Sequence, residues 1–337
     1  MTRGRRYRII YVPGHPAMQY HIARTGHDFF ILAHWDQFAC WRPRPANVHS
    51  LLPAFEPAHL DYGVADFQRL LAGGKAFGFP EDYDLAWSMW NEQYKVFAPF
   101  SGIRKVHRVA KYAELEPADY DRILSQPEAY ALASYYRYTV DEIEARFGVR
   151  VPLIELGVSP EDYGEWTGEE PVILSVIHSW AERGWHHETY RAATEGLPTR
   201  HVDHMHPGPE GPLRYDQVID LMRRCRVYYH DGENEYTVAL IEAMMVGAPI
   251  VTCAMPYVER HVQHGVNGFV SDDPAELREH CRALLEDADL AARMGAASRR
   301  LALERYSEQR WVDDWNRLFD DFTAGRDVYG RSRGAGP

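Results

Sequence analysis

The residues best suited to carry out chemistry lie between Cys225 and Cys253, where the sequence reads as strand, polar loop, helix, tight turn and strand. An apolar, β-prone run at 227–229 precedes a polar loop, and the pattern predicts a helix over 237–246. At such a helix start, backbone N–H groups point outward and the helix dipole favours a bound anion. Glu242 lies one turn further on, where its carboxylate can accept hydrogen bonds from sugar hydroxyls. The alternative is an ordinary strand–helix–strand unit with a surface glutamate.

The residues around this helix are those expected at its end and on its buried side. Gly247 suits the position after a helix C-terminus, and Pro249 prevents the helix from continuing. A second strand is predicted to begin at Ile250. One face of the helix is apolar and is expected to be buried: Leu240, Ile241, Met244 and Met245.

This stretch resembles the donor-binding segment of the retaining glycosyltransferases of family 4, which have the GT-B fold. The family pattern is a glutamate, seven residues, Glu-Ala-Met, and then a glycine, a proline and a strand. Here Asn234 and seven residues precede Glu242-Ala243-Met244, and Gly247 and Pro249 follow. The resemblance implies that Glu242 holds the ribose of a nucleotide donor.

The same resemblance implies roles for the residues between these two positions. The backbone at the helix start would line the donor diphosphate: Tyr236, Thr237 and Val238. The first family glutamate, which contacts the transferred sugar, is replaced by Asn234, with Glu233 and Glu235 beside it. Either Asn234 contacts the sugar as an amide, or a flanking glutamate takes that role.

A second donor-binding motif is expected in the segment 175–184, SVIHSWAERG. The family reads Gly-Arg, a few residues and Lys-Gly here, and both basic residues reach the diphosphate. Arg183-Gly184 fits the Lys-Gly end, whereas His178-Ser179 replaces Gly-Arg. Arginine donates two hydrogen bonds from its planar fork, and His178 could donate one. A solvated surface charge is the alternative for Arg183.

In the first half of the chain, the candidate residues follow predicted strands. The strand predicted at 7–12 is closed by Pro13-Gly14, and ligands bind at the carboxyl edge of parallel sheets. Many family members place an important histidine after a later strand, where this chain has Trp90-Asn91. We expect a cleft or acceptor-binding role for five residues: Gly14, His15, His21, Trp90 and Asn91. Catalysis would then rest on Arg183, His15 and Asn234.

The fold implied by the resemblance is α/β of the GT-B type, with two Rossmann-like domains facing across a cleft. The strand–helix alternation favours an α/β fold independently. We place the acceptor-side domain at 1–158, with 152–158 resembling its last strand, and the nucleotide-sugar domain at 159–306. An amphipathic segment at 307–325, with Trp311, Trp315 and Phe319 at helical spacing, is expected to pack back on the first domain.

Composition restricts the partners and the compartment. A net charge of −12 argues against broad nucleic-acid binding, which requires a basic face. No apolar run approaches the roughly 20 residues that span a bilayer, and the basic N-terminus is not followed by a secretory signal pattern. Four cysteines without CxxC spacing indicate reduced thiols in a cytoplasm and no structural zinc.

Metal-dependent chemistry is not expected from this sequence. Asp82-Tyr83-Asp84 and Asp119-Tyr120-Asp121 match the Asp-x-Asp pattern of a different class of glycosyltransferase, but such triplets occur by chance in an acidic chain. The resemblance therefore implies transfer of a sugar from a nucleotide diphosphate to an acceptor hydroxyl, with retention and without metal or cofactor. The alternatives are an inactive nucleotide-binding scaffold and a nucleotide-sugar epimerase. The sequence does not specify the base, the sugar, the acceptor or the oligomeric state.

Overall fold

A computed structural model describes residues 5–14, 16–35, 43–53, 62–73, 77–89, 91–177, 180–184, 186–203, 213–230 and 234–331. The chain divides into two compact units. The first contains 1–155 together with 309–337, and the second contains 156–308. From the sequence we expect these boundaries at 158/159 and 306/307. Among the described residues, no helix is both long enough and apolar enough to cross a bilayer.

The first unit is built on a six-stranded parallel sheet in the order β3-β2-β1-β4-β5-β6. The strands are β1 Arg8–Tyr11, β2 Asp28–Ile31, β3 Val48–Ser50, β4 Leu85–Ser88, β5 Arg104–Val109 and β6 Tyr130–Ser134. Its helices are α1 Pro16–Ile22, α2 Val64–Ala72, α3 Tyr94–Phe97, α4 Pro117–Leu124 and α5 Arg137–Phe147. The strand order reverses between β1 and β4, and the carboxyl ends of such a pair form the usual ligand position of an open parallel sheet.

The second unit has a five-stranded parallel sheet in the order β12-β11-β10-β8-β9. Before these strands, the chain forms the short antiparallel strand β7, Val149–Arg150, which belongs to the first unit. The five strands are β8 Glu170–Val176, β9 Thr199–Val202, β10 Cys225–His230, β11 Ile250–Thr252 and β12 Gly268–Val270. The helices are α6 Trp180–Arg183, α7 His187–Thr194, α8 Tyr215–Arg224, α9 Val238–Val246, α10 Pro274–Glu286 and α11 Ala288–Arg305. Here the strand order reverses between β8 and β10.

Helix α9 is buried on all sides, not only along the expected face. Every residue from Leu240 to Val246 is buried, and α8 and α11 pack against the helix. Gly247 ends α9 with a φ of 103°, a conformation that favours glycine. A side chain at Gly295 of α11 would overlap the carbonyl oxygen of Gly247, so the two backbones are in direct contact.

The last long helix, α12, spans Glu308–Thr323 and returns to the first unit, as expected from its amphipathic pattern. Trp315 is fully buried, and its ring lies edge-on to Trp87 of β4 at a centroid distance of 5.9 Å. The hydroxyl of Tyr7 donates to Asp320 Oδ1 at 2.6 Å. The chain then adds strand β13, Gly330–Arg331, antiparallel to β7.

One predicted strand is not formed. Residues 152–158 were expected to be the last strand of the first domain, but β6 holds that position in the sheet. Leu153 makes a single bridge to Ser134, and Val158 makes another to Ser307. Proline has no N–H to give to a ladder, so Pro152 limits the pairing beside β6 to the bonds around Ser134.

We predict that Trp315→Ala lowers the stability of the first unit by about 3–5 kcal/mol, because it empties a fully buried aromatic site between α12 and β4. Urea unfolding monitored by circular dichroism measures the change. Arg317→Ala on the exposed side of α12 is the control, since its ion pair with Asp314 is a surface pair worth at most about 1 kcal/mol. Equal midpoints for the two variants would contradict the packing role of Trp315.

Candidate functional site

The two predicted donor-binding segments follow neighbouring strands of the second unit. β8 and β10 pair in parallel, so their carboxyl ends lie at the same edge of the sheet. The chain leaves β8 toward α6 and β9, and it leaves β10 toward α9 and β11. Because the strand order reverses here, this edge is the expected ligand position in a sheet of this type.

The N-terminus of α9 is capped by Thr237. This residue has extended backbone angles, and its Oγ1 accepts a hydrogen bond from the N–H of Leu240 at 3.1 Å. The helix therefore begins at Val238, one residue later than predicted. The cap satisfies one first-turn amide, while the amides before Leu240 have no acceptor within the helix. These groups and the helix dipole can hold an anion.

Glu242 lies inside the second unit and is held by two tyrosine hydroxyls. Tyr215 at the start of α8 donates to Glu242 Oε1 at 2.7 Å, and Tyr163 donates to the same oxygen at 3.3 Å. The residue is only 3% exposed, which excludes the alternative of a solvated surface glutamate. Sequence reasoning missed both tyrosines, because they lie 79 and 27 positions from Glu242 and no spacing rule links them.

Glu235 is fully buried and is bound within the second unit. His261 Nε2 donates to Glu235 Oε1 at 3.2 Å, and Arg260 Nε lies 3.4 Å from the same oxygen. The Tyr306 hydroxyl makes a short hydrogen bond with Nδ1 of His261. This chain of contacts anchors the loop before α9, so the carboxylate of Glu235 is already used to hold that loop.

The residue after Glu235 is anchored as well. Tyr236 is 1% exposed, and its hydroxyl accepts a hydrogen bond from the backbone N–H of Leu156 at 3.1 Å. Its ring lies 5.0 Å from His261 and 5.9 Å from Tyr306 between centroids. The loop thus enters α9 with two consecutive side chains fixed in the core. Asn234 is buried beside them at 8% exposure, and Glu233 lies outside the described residues.

The second predicted motif is described only in part. Arg183 is the last residue of the one-turn helix α6, which follows β8 after a short loop, and nothing is described of its side chain. His178 and Ser179 lie outside the described residues. The backbone therefore places Arg183 near the carboxyl edge of the sheet, and its predicted contact with a diphosphate stays a prediction.

In the first unit, the loop after β1 is tied to the loop after β4. Gln19 Nε2 donates to the carbonyl of Gly14 at 2.9 Å, and Gln93 Nε2 donates to the carbonyl of Pro13 at 2.7 Å. A side chain at Gly14 would overlap the sulfur of Met89, so the two loops approach closely. Both loops lie where the strand order of this sheet reverses.

The other residues predicted for this region lie in different parts of the first unit or outside the described residues. His21 lies on α1 and is buried at 2% exposure, with its ring 5.6 Å from that of Tyr20. His15 and Trp90 lie outside the described residues. Asn91 begins a short 3₁₀ helix, Asn91–Gln93, but its side chain is not described. Gly14 and Asn91 are therefore the two whose backbone lies in loops at the carboxyl edge.

The two Asp-x-Asp triplets are engaged in internal contacts. Asp84 accepts from the Arg5 guanidinium at 2.6 Å and from the Arg8 backbone N–H at 2.9 Å. Asp119 is buried, with Tyr94 donating to it and Lys95 Nζ 3.5 Å away. Burial, and after it the hydrogen bond to Asp119, raise the pKa of the Tyr94 hydroxyl. One aspartate of each triplet, Asp84 or Asp119, is therefore engaged in structural contacts.

Comparison with known families identifies one segment of the second unit. Residues 210–301 match the family described as Glycosyl transferases group 1. The match covers α8, β10, α9 and β11, and so it contains Thr237, Glu242 and the anchored loop before them. No curated protein matches the sequence.

Comparison with solved structures covers nearly the whole chain. Sucrose-phosphate synthase from Thermosynechococcus elongatus superposes with a TM-score of 0.71 at 13% identity, covering 95% of this chain and 100% of that one. HepE of Anabaena, solved in complex with UDP and glucose, gives 0.68 at 13% identity over 94% and 100%. WaaG, a glycosyltransferase involved in lipopolysaccharide biosynthesis, gives 0.61 at 13% identity over 92% and 99%. The chain therefore has the GT-B fold, built from two parallel-sheet α/β units.

Proposed function

We propose that this protein is a glycosyltransferase that moves a sugar from a nucleotide diphosphate donor to an acceptor hydroxyl. One observation carries the proposal: the capped N-terminus of α9 and the buried carboxylate of Glu242 lie one turn apart, at the carboxyl edge of the second sheet. The group 1 match over this segment supports the reaction class. Membership of family 4 and retention of anomeric configuration are part of the proposal and rest on the sequence resemblance.

The donor would bind with its nucleotide on the second unit. Glu242 would accept hydrogen bonds from ribose hydroxyls, since Tyr163 and Tyr215 already fix the orientation of its carboxylate. The amides at the start of α9 would hold the diphosphate, with Tyr236, Thr237 and Val238 lining it. An anchored loop loses little conformational freedom on binding, and this preorganisation favours affinity.

The chemical step would be the departure of the diphosphate. The bond from the anomeric carbon to the phosphate oxygen breaks, the acceptor oxygen bonds to that carbon, and the acceptor proton passes to the departing phosphate. Negative charge grows on the diphosphate as the bond breaks, and fixed donors stabilise such charge. Arg183, the start of α9 and His178 are the groups we assign to this task. Ser179 would add a hydroxyl beside them, and no metal or cofactor is required.

The transferred sugar would contact Asn234. Of the two flanking glutamates, Glu235 is bonded to His261 and held inside the unit, which leaves the amide of Asn234 as the better candidate. Glu233 stays the alternative. HepE has been solved with UDP-glucose, so a UDP-hexose is the first donor to test here.

The acceptor would bind to the first unit, near the loops that follow β1 and β4. Gly14 and Asn91 lie in these loops, and His15, Trp90 and His21 belong to the same segments. His15 would assist the transfer as a catalytic group.

We also propose a cytoplasmic location, with Cys225, Cys253 and Cys281 as buried free thiols.

Product analysis with a panel of nucleotide sugars tests the proposal. Release of nucleoside diphosphate, with transfer to an added acceptor or slow transfer to water, is the expected result. A donor that binds without turnover under any condition would indicate a nucleotide-binding scaffold. Interconversion of the donor sugar without an acceptor would indicate an epimerase.

We predict that Glu242→Gln weakens donor binding about 10- to 100-fold, the range expected for losing a charged hydrogen-bond acceptor. The amide oxygen can still accept from Tyr215 and Tyr163, so the melting temperature should change little. Titration calorimetry with the donor measures the affinity. Glu279→Gln on the exposed side of α10 is the matched control. Unchanged affinity in Glu242→Gln would remove this carboxylate from the ribose.

Chelator should leave the transfer rate unchanged. The charge of the diphosphate is assigned to backbone amides and Arg183, and EDTA removes neither. Initial rates are compared in a dialysed sample with EDTA, without it, and with added magnesium or manganese. Complete loss of turnover that either metal restores would overturn the metal-free mechanism.

Arg183→Ala is expected to slow the chemical step by about 100-fold, as is common when one preorganised donor is lost. Arg183→Lys should keep part of the rate, because lysine preserves the charge but not the two-pronged geometry. Single-turnover rates at saturating donor measure both. Arg191→Ala on the exposed face of α7 is the control. If Arg183→Ala behaves like this control, Arg183 is a surface charge and not part of the site.

A further inference from the structure

Arg108 on β5 is a buried cation that the proposed mechanism does not use. Its side chain is only 1% exposed. Nη2 donates to the carbonyl of Met89 at 2.8 Å, and the guanidinium carbon lies 4.2 Å from the centre of the Tyr135 ring. Within the described part of the chain, Nε and Nη1 have no hydrogen-bond partner. The group is therefore held in one position with part of its donor capacity unused.

Such a group is costly to bury. A guanidinium carries five N–H donors and stays charged, and a buried charge without full pairing lowers stability. Glu114 interacts with it electrostatically, but the carboxylate of Glu114 accepts its hydrogen bond from the Ala110 N–H at 2.9 Å. Burial raises the pKa of Glu114, and the Ala110 N–H and the Arg108 charge oppose that rise. Glu114 thus offsets the charge of Arg108 electrostatically but does not accept a hydrogen bond from it.

The other buried cation on the same strand is a useful contrast. Lys105 is 4% exposed, donates to the carbonyl of Ile103 at 2.9 Å, and lies 5.0 Å from the ring centre of Tyr130. None of its polar atoms is left without a partner in the described structure. Lys105 lies near the amino end of β5, whereas Arg108 lies near the carboxyl end. Of these two cations, only Arg108, near the carboxyl edge of the sheet, keeps N–H groups without an acceptor.

The surroundings of Arg108 also belong to that edge. Met89 directly follows β4 and Tyr135 directly follows β6, and these strands flank β5 on its two sides. Met89 is in turn packed against Gly14 in the loop after β1. The guanidinium is therefore fixed among the loops to which the proposed function assigns the acceptor.

We propose that the unused donors of Arg108 bind an oxyanion of the acceptor, a phosphate or a carboxylate, so that this enzyme glycosylates an acidic acceptor. The acceptor assignment rests on the proposed function, whereas the oxyanion site itself rests on Arg108. A ligand oxyanion would complete the hydrogen bonds of the guanidinium and neutralise its charge. It would also set the acceptor hydroxyl at a fixed distance from the anchored group.

Hydrogen exchange with mass spectrometry tests the site without a transfer assay. The probes are inorganic phosphate and acetate, each compared with chloride at equal ionic strength. Slower exchange is expected over 85–97 and 130–138, the segments around Met89 and Tyr135. Protection by phosphate alone would identify a phosphate site, and protection by acetate would extend it to carboxylates. Protection confined to 234–246 would report the donor site and overturn the proposal.

Two variants of Arg108 and a control at Lys105 separate binding from packing. Arg108→Gln should lose the protection over 85–97 and 130–138, while Lys105→Gln, which changes the other buried cation of β5, should keep it. Arg108→Lys keeps a charge and serves as the second variant if Arg108→Gln does not fold; it should weaken the protection by about 10-fold or more in probe concentration. Unchanged protection in the Arg108 variants would show that Arg108 only supports the loop after β4.

The stability of methionine variants at the same two positions gives an independent readout. An unpaired buried charge destabilises the ligand-free fold, so Arg108→Met should melt no lower than the wild type, whereas Lys105→Met should melt lower. The opposite order would indicate a purely structural arginine. Nucleotide-induced protection over 234–246 is measured in parallel, so a failed oxyanion site and a failed donor site give different results.

Discussion

The burial of α9 from Leu240 to Val246 is the constraint on which the second unit depends. Apart from Glu242, α9 is apolar on every side, so it must be enclosed, and here α8 and α11 pack against it. Its backbone N–H and C=O groups can then reach a ligand only at its ends. The carboxyl end is closed by Gly247 and by the backbone of α11, and the amino end opens at the edge of the sheet. The amino end of α9, which is the positive end of its dipole, therefore faces the candidate site.

The loop before α9 completes this arrangement with polar contacts in the core. Glu235, His261 and Tyr306 form a hydrogen-bonded chain in which every member is fully buried. Breaking a buried pair by removing one partner leaves an uncompensated group, which is strongly destabilising. The loop thus has one favourable position, which fixes Tyr236 and Thr237 at the start of α9.

The sequence predicts the parts of this site that depend on local pattern. Helix α9 follows from its apolar residues and from the glycine and proline after it, and α12 follows from the spacing of Trp311, Trp315 and Phe319. The partners of Glu242 and Glu235 could not be predicted, because Tyr163 and His261 reach them only through tertiary packing. The strand predicted at 152–158 was wrong, because this β-prone segment makes only isolated bridges and does not form a strand beside β6.

The contact between α9 and α11 has a consequence for how the protein can vary. Gly295 sits inside an 18-residue helix, where glycine costs about 1 kcal/mol relative to alanine. It is required there because any side chain would overlap the carbonyl oxygen of Gly247 and force α9 and α11 apart. The depth at which the amino end of α9 sits is thus controlled by a position with no ligand role of its own. Sequence drift on the exposed faces of α11 is compatible with the site, whereas drift at Gly295 would change the site's dimensions while leaving every residue in it intact.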